Sequence, residues 1–98
     1  HSMLQGKTAI VTGSTSGIGL AIAQALAAEG ANILFNGFGD RAAIDALVAD
    51  TARKYKVKTA YSGADMSKPA DVRAMVAQAE KELGACDILV NNAGIQHT

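Results

Sequence analysis

Three glycines, Gly13, Gly17 and Gly19, stand in the stretch Thr-Gly-Ser-Thr-Ser-Gly-Ile-Gly. They follow a short apolar, β-branched run at 8–12 and open a helical pattern, the place where a backbone can hold an anion. Each glycine has a separate physical task there. Gly13 turns the chain sharply off the strand, Gly17 lets the backbone approach a pyrophosphate, and Gly19 lets helix and strand pack closely. Ser14, Thr15 and Ser16 add hydroxyl donors around the anion, and Ile18 belongs to the same turn. The plain alternative is a glycine-rich turn with no ligand, against which stands its position inside a well-patterned strand–helix–strand unit. No Gly-Lys-Ser/Thr follows, and Lys7 lies upstream of the strand, so this is not the phosphate loop of ATPases.

A second group, Asn91-Asn92-Ala93-Gly94, ends the last apolar run. Asn92 can brace the backbone, while Ala93 and Gly94 leave room for a flat ring or a ribose. Taken alone, the tetrapeptide reads equally well as an ordinary turn.

The elements that must position these groups alternate regularly. Strand candidates run from residue 8 to the turn at Gly13, and over 32–36, 57–61 and 87–91. The first, second and fourth are continuous apolar runs, as in a sheet covered on both faces; the third alternates, as an edge strand does. Ile18, Ile22, Ala25 and Leu26 predict one helix, closed at Gly30. Ile44, Leu47, Val48, Thr51 and Tyr55 predict a second, with Asp40 as N-cap. Val72, Met75, Val76, Ala79 and Leu83 predict a third, with Ser67 as N-cap, Pro69 in the first turn and Gly84 as the stop. The order β-α-β-α-β-α-β with short loops implies an α/β fold, the first portion of a Rossmann-type doubly wound parallel sheet with strand order 3-2-1-4. Ligands of such sheets bind where the order reverses, between the first and fourth strands.

Composition narrows the function classes. The 98 residues carry 9 Lys+Arg and 9 Asp+Glu, and 49% are hydrophobic, which suits one small folded domain. Net charge zero with pI near 6.9 argues against a nucleic-acid or anionic-membrane binder. One cysteine, Cys86, permits no internal disulfide and fits a cytoplasmic protein, and two distant histidines give no metal cluster. No apolar stretch is long enough to span a bilayer. His1-Ser2 reads as an expression scar before Met3. Arg53, Lys54, Lys56 and Lys58 form a basic run where the second helix should end, which reads as a solvated face complementing the helix dipole.

The pairing of Thr-Gly-x-x-x-Gly-x-Gly with Asn-Asn-Ala-Gly resembles the short-chain dehydrogenase/reductase family, over essentially all of residues 5–98. The resemblance implies a nicotinamide dinucleotide cofactor, cytoplasmic location and a homotetramer at full length. In that family the end of the second strand selects the cofactor: an acidic residue serves NAD, a basic one NADP. Asn36-Gly37-Phe38-Gly39 departs from both, and Ser16 stands where NADP-dependent relatives often have a cation, so the expectation is NAD; a mobile Arg41 is the one group that would reach a phosphate. Phe38 either packs on adenine or is a core phenylalanine. Asp65 and Met66 either face the adenine or, for Asp65, supply a charge at a helix start.

Asn-Gly-Phe-Gly-Asp and the terminal Asn-Asn-Ala-Gly-Ile-Gln-His-Thr resemble the bacterial D-3-hydroxybutyrate dehydrogenase branch. That likeness implies a small hydroxy-acid substrate, with the Gln96 amide nitrogen on its carboxylate; an exposed polar loop is the alternative for Gln96 and His97. The family's proton donor is a Tyr-x-x-x-Lys pair. Four residues after Tyr55 and Tyr61 stand Thr59 and Asp65, so no catalytic residue is assigned within these residues. The expectation is therefore that 3–98 form the N-terminal dinucleotide-binding part of a longer single-domain enzyme, incomplete at the C-terminus and inactive alone. An NADPH-dependent 3-oxoacyl reductase and a non-catalytic nucleotide-binding module are the competing readings.

Overall fold

The computed structural model describes residues 3–92. Among these residues four strands, β1 (Thr8–Val11), β2 (Asn32–Asn36), β3 (Thr59–Ser62) and β4 (Cys86–Val90), alternate with three helices, α1 (Gly17–Ala28), α2 (Arg41–Tyr55) and α3 (Pro69–Glu82). All strand pairs are parallel and the order is β3-β2-β1-β4, as the alternation predicts.

Period-two alternation sorts the sheet residues onto two faces. Ala9, Val11, Ile33 and Phe35 point to one, where Ala23 and Ala27 of α1 meet them and Val48 and Tyr55 of α2 pack alongside. Ile10, Leu34 and Ala60 point to the other, against Met75 and Ala79 of α3 and the following Leu83. The third apolar stripe therefore falls where expected. The first does not. Ile18 is 71% exposed and Ala25 is exposed, while Gly19, Ala23 and Ala27 make the buried stripe. Small residues at i, i+4 and i+8 bring the helix axis close to the sheet, and Leu20, Ile22 and Leu26 flank the contact.

Element ends shift for identifiable reasons. β3 begins at Thr59, not 57, because the Val57 N–H closes α2 on the Ala52 carbonyl and the Lys58 N–H goes to Asn32 Oδ1. β4 begins at Cys86, which pairs with Thr8; the register then slips, and Asp87 Oδ2 accepts the Thr8 N–H at 2.9 Å. The N-cap of α3 is Lys68 and not Ser67, whose hydroxyl is spent on Asp65. β4 is also less covered than its apolar run implies: it alternates half-buried and exposed, with Leu89 60% exposed, because β4 forms an edge of the sheet among the described residues. Asp40 caps α2 as expected, accepting the Ala43 N–H at 2.9 Å.

Candidate functional site

The turn from β1 into α1 crosses the carboxyl end of the sheet. Gly13 and Gly17 both adopt φ of +60°, a conformation that an L side chain rarely takes. Beyond its chain neighbours and the backbone of its own helix, nothing lies within 4 Å of the point where a Gly17 Cβ would stand, so the backbone there borders open space. Ser16 is the N-cap of α1 but makes no side-chain cap bond, and no acidic residue occupies the first turn. The first N–H groups of α1 thus keep the partial positive charge of a helix N-terminus. Gly19 serves close packing: a Cβ there would overlap the Gly13 carbonyl oxygen and lie 2.6 Å from Asn92 Nδ2.

Asn92 braces this turn from the end of β4, donating from Nδ2 to the Gly13 carbonyl at 3.1 Å. Thr12 ties the same two strand ends together, its N–H on Val90 O at 2.9 Å and its hydroxyl on Asn91 Oδ1 at 3.2 Å. The first glycine motif and the Asn91-Asn92 half of the second therefore meet at the reversal between β1 and β4.

Beside them lies a groove of about 560 Å³. Of the residues that the sequence singles out, Gly13, Thr15, Ser16, Phe38, Asp65, Met66 and Asn92 line it, joined by Asn36, Gly37, Ala64 and Ser67. Gly17, Ile18 and Gly19 stand in the adjoining first turn of α1 and not in the lining. Ala93, Gly94, Gln96 and His97 lie outside the described residues. No lysine or arginine lines the groove among the described residues.

Several readings are corrected by the geometry. Ser14 does not face an anion: it is fully buried, and its hydroxyl donates to Val11 O at 2.6 Å while accepting the Asn36 N–H at 3.0 Å. Thr15 spends its hydroxyl proton on the Phe38 carbonyl at 3.3 Å, pinning the β2–α2 loop to the glycine turn. Phe38 is no core residue, being 71% exposed at the groove. Arg41 turns to its own helix, its Nε donating to Asp45 Oδ1 at 2.8 Å in a largely exposed pair. Asp65 combines both of its readings. It lines the groove, and its Oδ1 also accepts the Ser67 hydroxyl at 2.7 Å and the Ser67 N–H at 2.9 Å. Those bonds, the hydroxyl first, hold the Asp65 carboxyl below the usual aspartate range.

The residue whose bracing role sequence reasoning misses is Asn36, named there only as a departure from the cofactor-selecting pattern. It is buried at the end of β2, and its side chain ties the glycine turn to the end of β3: Oδ1 accepts the Gly13 N–H at 3.2 Å, and Nδ2 donates to Ser62 O at 3.1 Å and Ala64 O at 3.0 Å. Its signal was an amide closing an apolar strand, since a buried polar side chain must find partners.

A parallel β-α-β sheet with an open glycine turn and a bracing asparagine at its switch point defines a class of dinucleotide-binding proteins. Residues 7–98 match the model of the short chain dehydrogenase family, and the chain belongs to that family. Among individual relatives, it is 60% identical over 95 residues to a D-beta-hydroxybutyrate dehydrogenase of Cupriavidus necator, covering 97% of this chain and 36% of that protein. It is 49% identical over 90 residues to a D-beta-hydroxybutyrate dehydrogenase of Rhizobium meliloti, covering 92% of this chain and 35% of that protein. The chain thus spans about a third of the length of these relatives. Among solved structures, the L-sorbose reductase of Gluconobacter frateurii, complexed with NADPH and L-sorbose, superposes with a TM-score of 0.85 at 37% identity, covering 96% of this chain and 35% of that one. A blue fluorescent protein from a metagenomic library, in complex with NADPH, gives 0.87 at 44% identity, covering 96% and 38%.

Proposed function

We propose that residues 3–98 are the N-terminal, cofactor-binding part of an NAD-dependent oxidoreductase that interconverts D-3-hydroxybutyrate and acetoacetate. The observation that carries this reading is the uncapped first turn of α1, opening beside the groove at the switch point and bordered by Gly13, Thr15 and Ser16. The residues present fit a dinucleotide. The backbone at Ser16, Gly17 and Ile18 would hold the pyrophosphate, with Gly19 and Asn92 keeping the turn in place. Phe38, Asp65 and Met66 would bound the adenosine end, and Ala93 and Gly94 would leave space for the nicotinamide ribose. NAD, when bound, supplies the hydride acceptor for the hydroxyl-bearing carbon.

The protein's own contribution is placement. Its helix N-terminus and loops orient the dinucleotide, and Gln96 would present an amide N–H to the carboxylate of a short hydroxy acid. The choice of NAD rests on the absence of a cation from the groove's lining among the described residues and on the pairing of Arg41 with Asp45, whereas both solved relatives described above are complexed with NADPH. The substrate rests on the likeness to the two hydroxybutyrate dehydrogenases. The NADPH complexes favour one second reading, an NADPH-dependent reductase of the same family.

One assay separates the two. The full-length enzyme carrying this chain, given D-3-hydroxybutyrate with NAD+ or NADP+, should reduce NAD+ with clear preference. Turnover with NADP+ alone would favour the reductase, and no turnover of this substrate with either cofactor would remove the hydroxybutyrate assignment.

A further inference from the structure

The segment following β2 contains one cation. Within 36–45 the charged residues are Asp40, Arg41 and Asp45, so Arg41 is the cation of that segment that could meet an anionic group. It follows directly on Asp40, which borders a second groove of about 330 Å³; that groove shares Thr15, Ser16 and Phe38 with the first. The guanidinium of Arg41 lines neither.

Two groups draw it away. Asp45, one turn along α2, takes the Nε–H at 2.8 Å. On the β3 side the Arg41 Cζ stands 5.0 Å from the centroid of the Tyr61 ring, within the range of a cation–π contact. Tyr61 is itself fixed, because its hydroxyl donates to the Gly37 carbonyl in the groove wall and Gln78 of α3 donates to its backbone carbonyl at 2.9 Å. Asp40 offers no alternative tether, since its carboxylate caps α2.

We propose that Asp45 and Tyr61 form a latch that parks Arg41 off the ribose end of the groove and thereby selects against a dinucleotide bearing a 2′-phosphate. The inference rests on the reading of the groove as a nicotinamide dinucleotide site. Asp45 and Tyr61 are positioning residues: neither touches the ribose, and both act through Arg41. A 2′-phosphate is a dianion that an arginine pairs with well, but here Arg41 must first leave Asp45. Both partners are largely exposed, at 71% and 60%, so the latch is weak and its release changes a ratio of affinities without changing the fold.

The test is calorimetric titration of the full-length enzyme carrying this chain with NAD+ and with NADP+, for the wild type, Asp45→Ala, and Asp45→Ala combined with Arg41→Gln. Asp45→Ala should tighten NADP+ by about fivefold, the most that an exposed pair of this kind holds back, and leave NAD+ unchanged. The gain should vanish in the double variant and shrink as ionic strength rises. An equal change for both dinucleotides would mean a merely structural role and overturn the latch. So would a gain that survives Arg41→Gln, or NAD+ binding with an unmoved NADP+ affinity. A wild type that binds neither dinucleotide overturns the groove reading, and the latch with it.

Discussion

α1 and α2 leave the same edge of the same sheet face, yet their N-termini are finished in opposite ways. α2 is closed by its own carboxylate, Asp40 accepting the Ala43 N–H. α1 starts at Ser16 without a side-chain cap bond and without an acid in its first turn, between Gly13 and Gly17, both at positive φ. A helix start with unfilled donors is less stable than a capped one by about 1 kcal/mol, so leaving α1 open carries a cost that a bound anion would offset. The contrast teaches that helix N-termini at a sheet's carboxyl edge are potential anion sites, and that the chain decides which remain so.

Groove volume alone would not have found the difference. At the amino end of the sheet a groove of about 530 Å³, bordered by Gly6, Gly30, Asn32, Lys56 and Lys58, nearly equals the 560 Å³ at the carboxyl end. What distinguishes the carboxyl end is its bracing, in which Asn36 and Asn92 both hold Gly13.

The change that should disturb the open turn most is Gly19→Ala. Its Cβ would meet the Gly13 carbonyl, which is backbone and cannot swing aside. The expected outcome is a loss of about 1–3 kcal/mol in thermal unfolding, with NAD+ affinity falling on the order of a hundredfold. Asn36→Ala removes a buried amide that bonds both the glycine turn and the end of β3, and should cost about 1–3 kcal/mol by denaturant titration. Asn32→Ala, its counterpart at the amino end, loses one exposed bond to the Lys58 N–H and should cost under about 1 kcal/mol with dinucleotide affinity intact. If the two asparagines proved equal in both respects, the distinction between the sheet ends would fail.

Exchanging the caps sharpens the comparison further. Ser16→Asp would give α1 what α2 has, raising stability by about 0.5 kcal/mol while weakening NAD+ about tenfold through charge and occupation of the first N–H groups. Asp40→Ala should do the converse, lowering stability by about 1 kcal/mol and sparing NAD+. The smallest expected effect is one of pH. Because the folded carboxyl of Asp65 titrates below its unfolded range, its bonds to Ser67 contribute fully above the ordinary aspartate pKa. They are lost as pH falls through the depressed folded value, so an acid titration followed by NMR should show the Ser67 amide shifting at lower pH than a free aspartate would give.

Sequence made the sheet order and the two meeting motifs legible, because apolar runs and glycine spacing are local signals. It misread details that depend on what lies across a gap. The first-helix stripe looked like Ile18, Ile22, Ala25 and Leu26, since large residues usually mark a core face; close approach to the sheet instead buries Gly19, Ala23 and Ala27. Ser14 and Ser16 are the same residue type two positions apart, yet one is buried under β2 and one opens to solvent. Periodicity does not predict which. The bracing role of Asn36 was overlooked for a related reason, as all three of its side-chain partners lie more than twenty residues away.

The most direct test is to follow backbone amides of the full chain by NMR as NAD+ is added. The open-turn account predicts that the amides of Gly17, Ile18 and Gly19 shift strongly and saturably while those of Ala42 and Ala43 at the capped start of α2 stay near their free positions. Shifts centred on α2, or saturable binding that leaves the first turn of α1 unmoved, would contradict it.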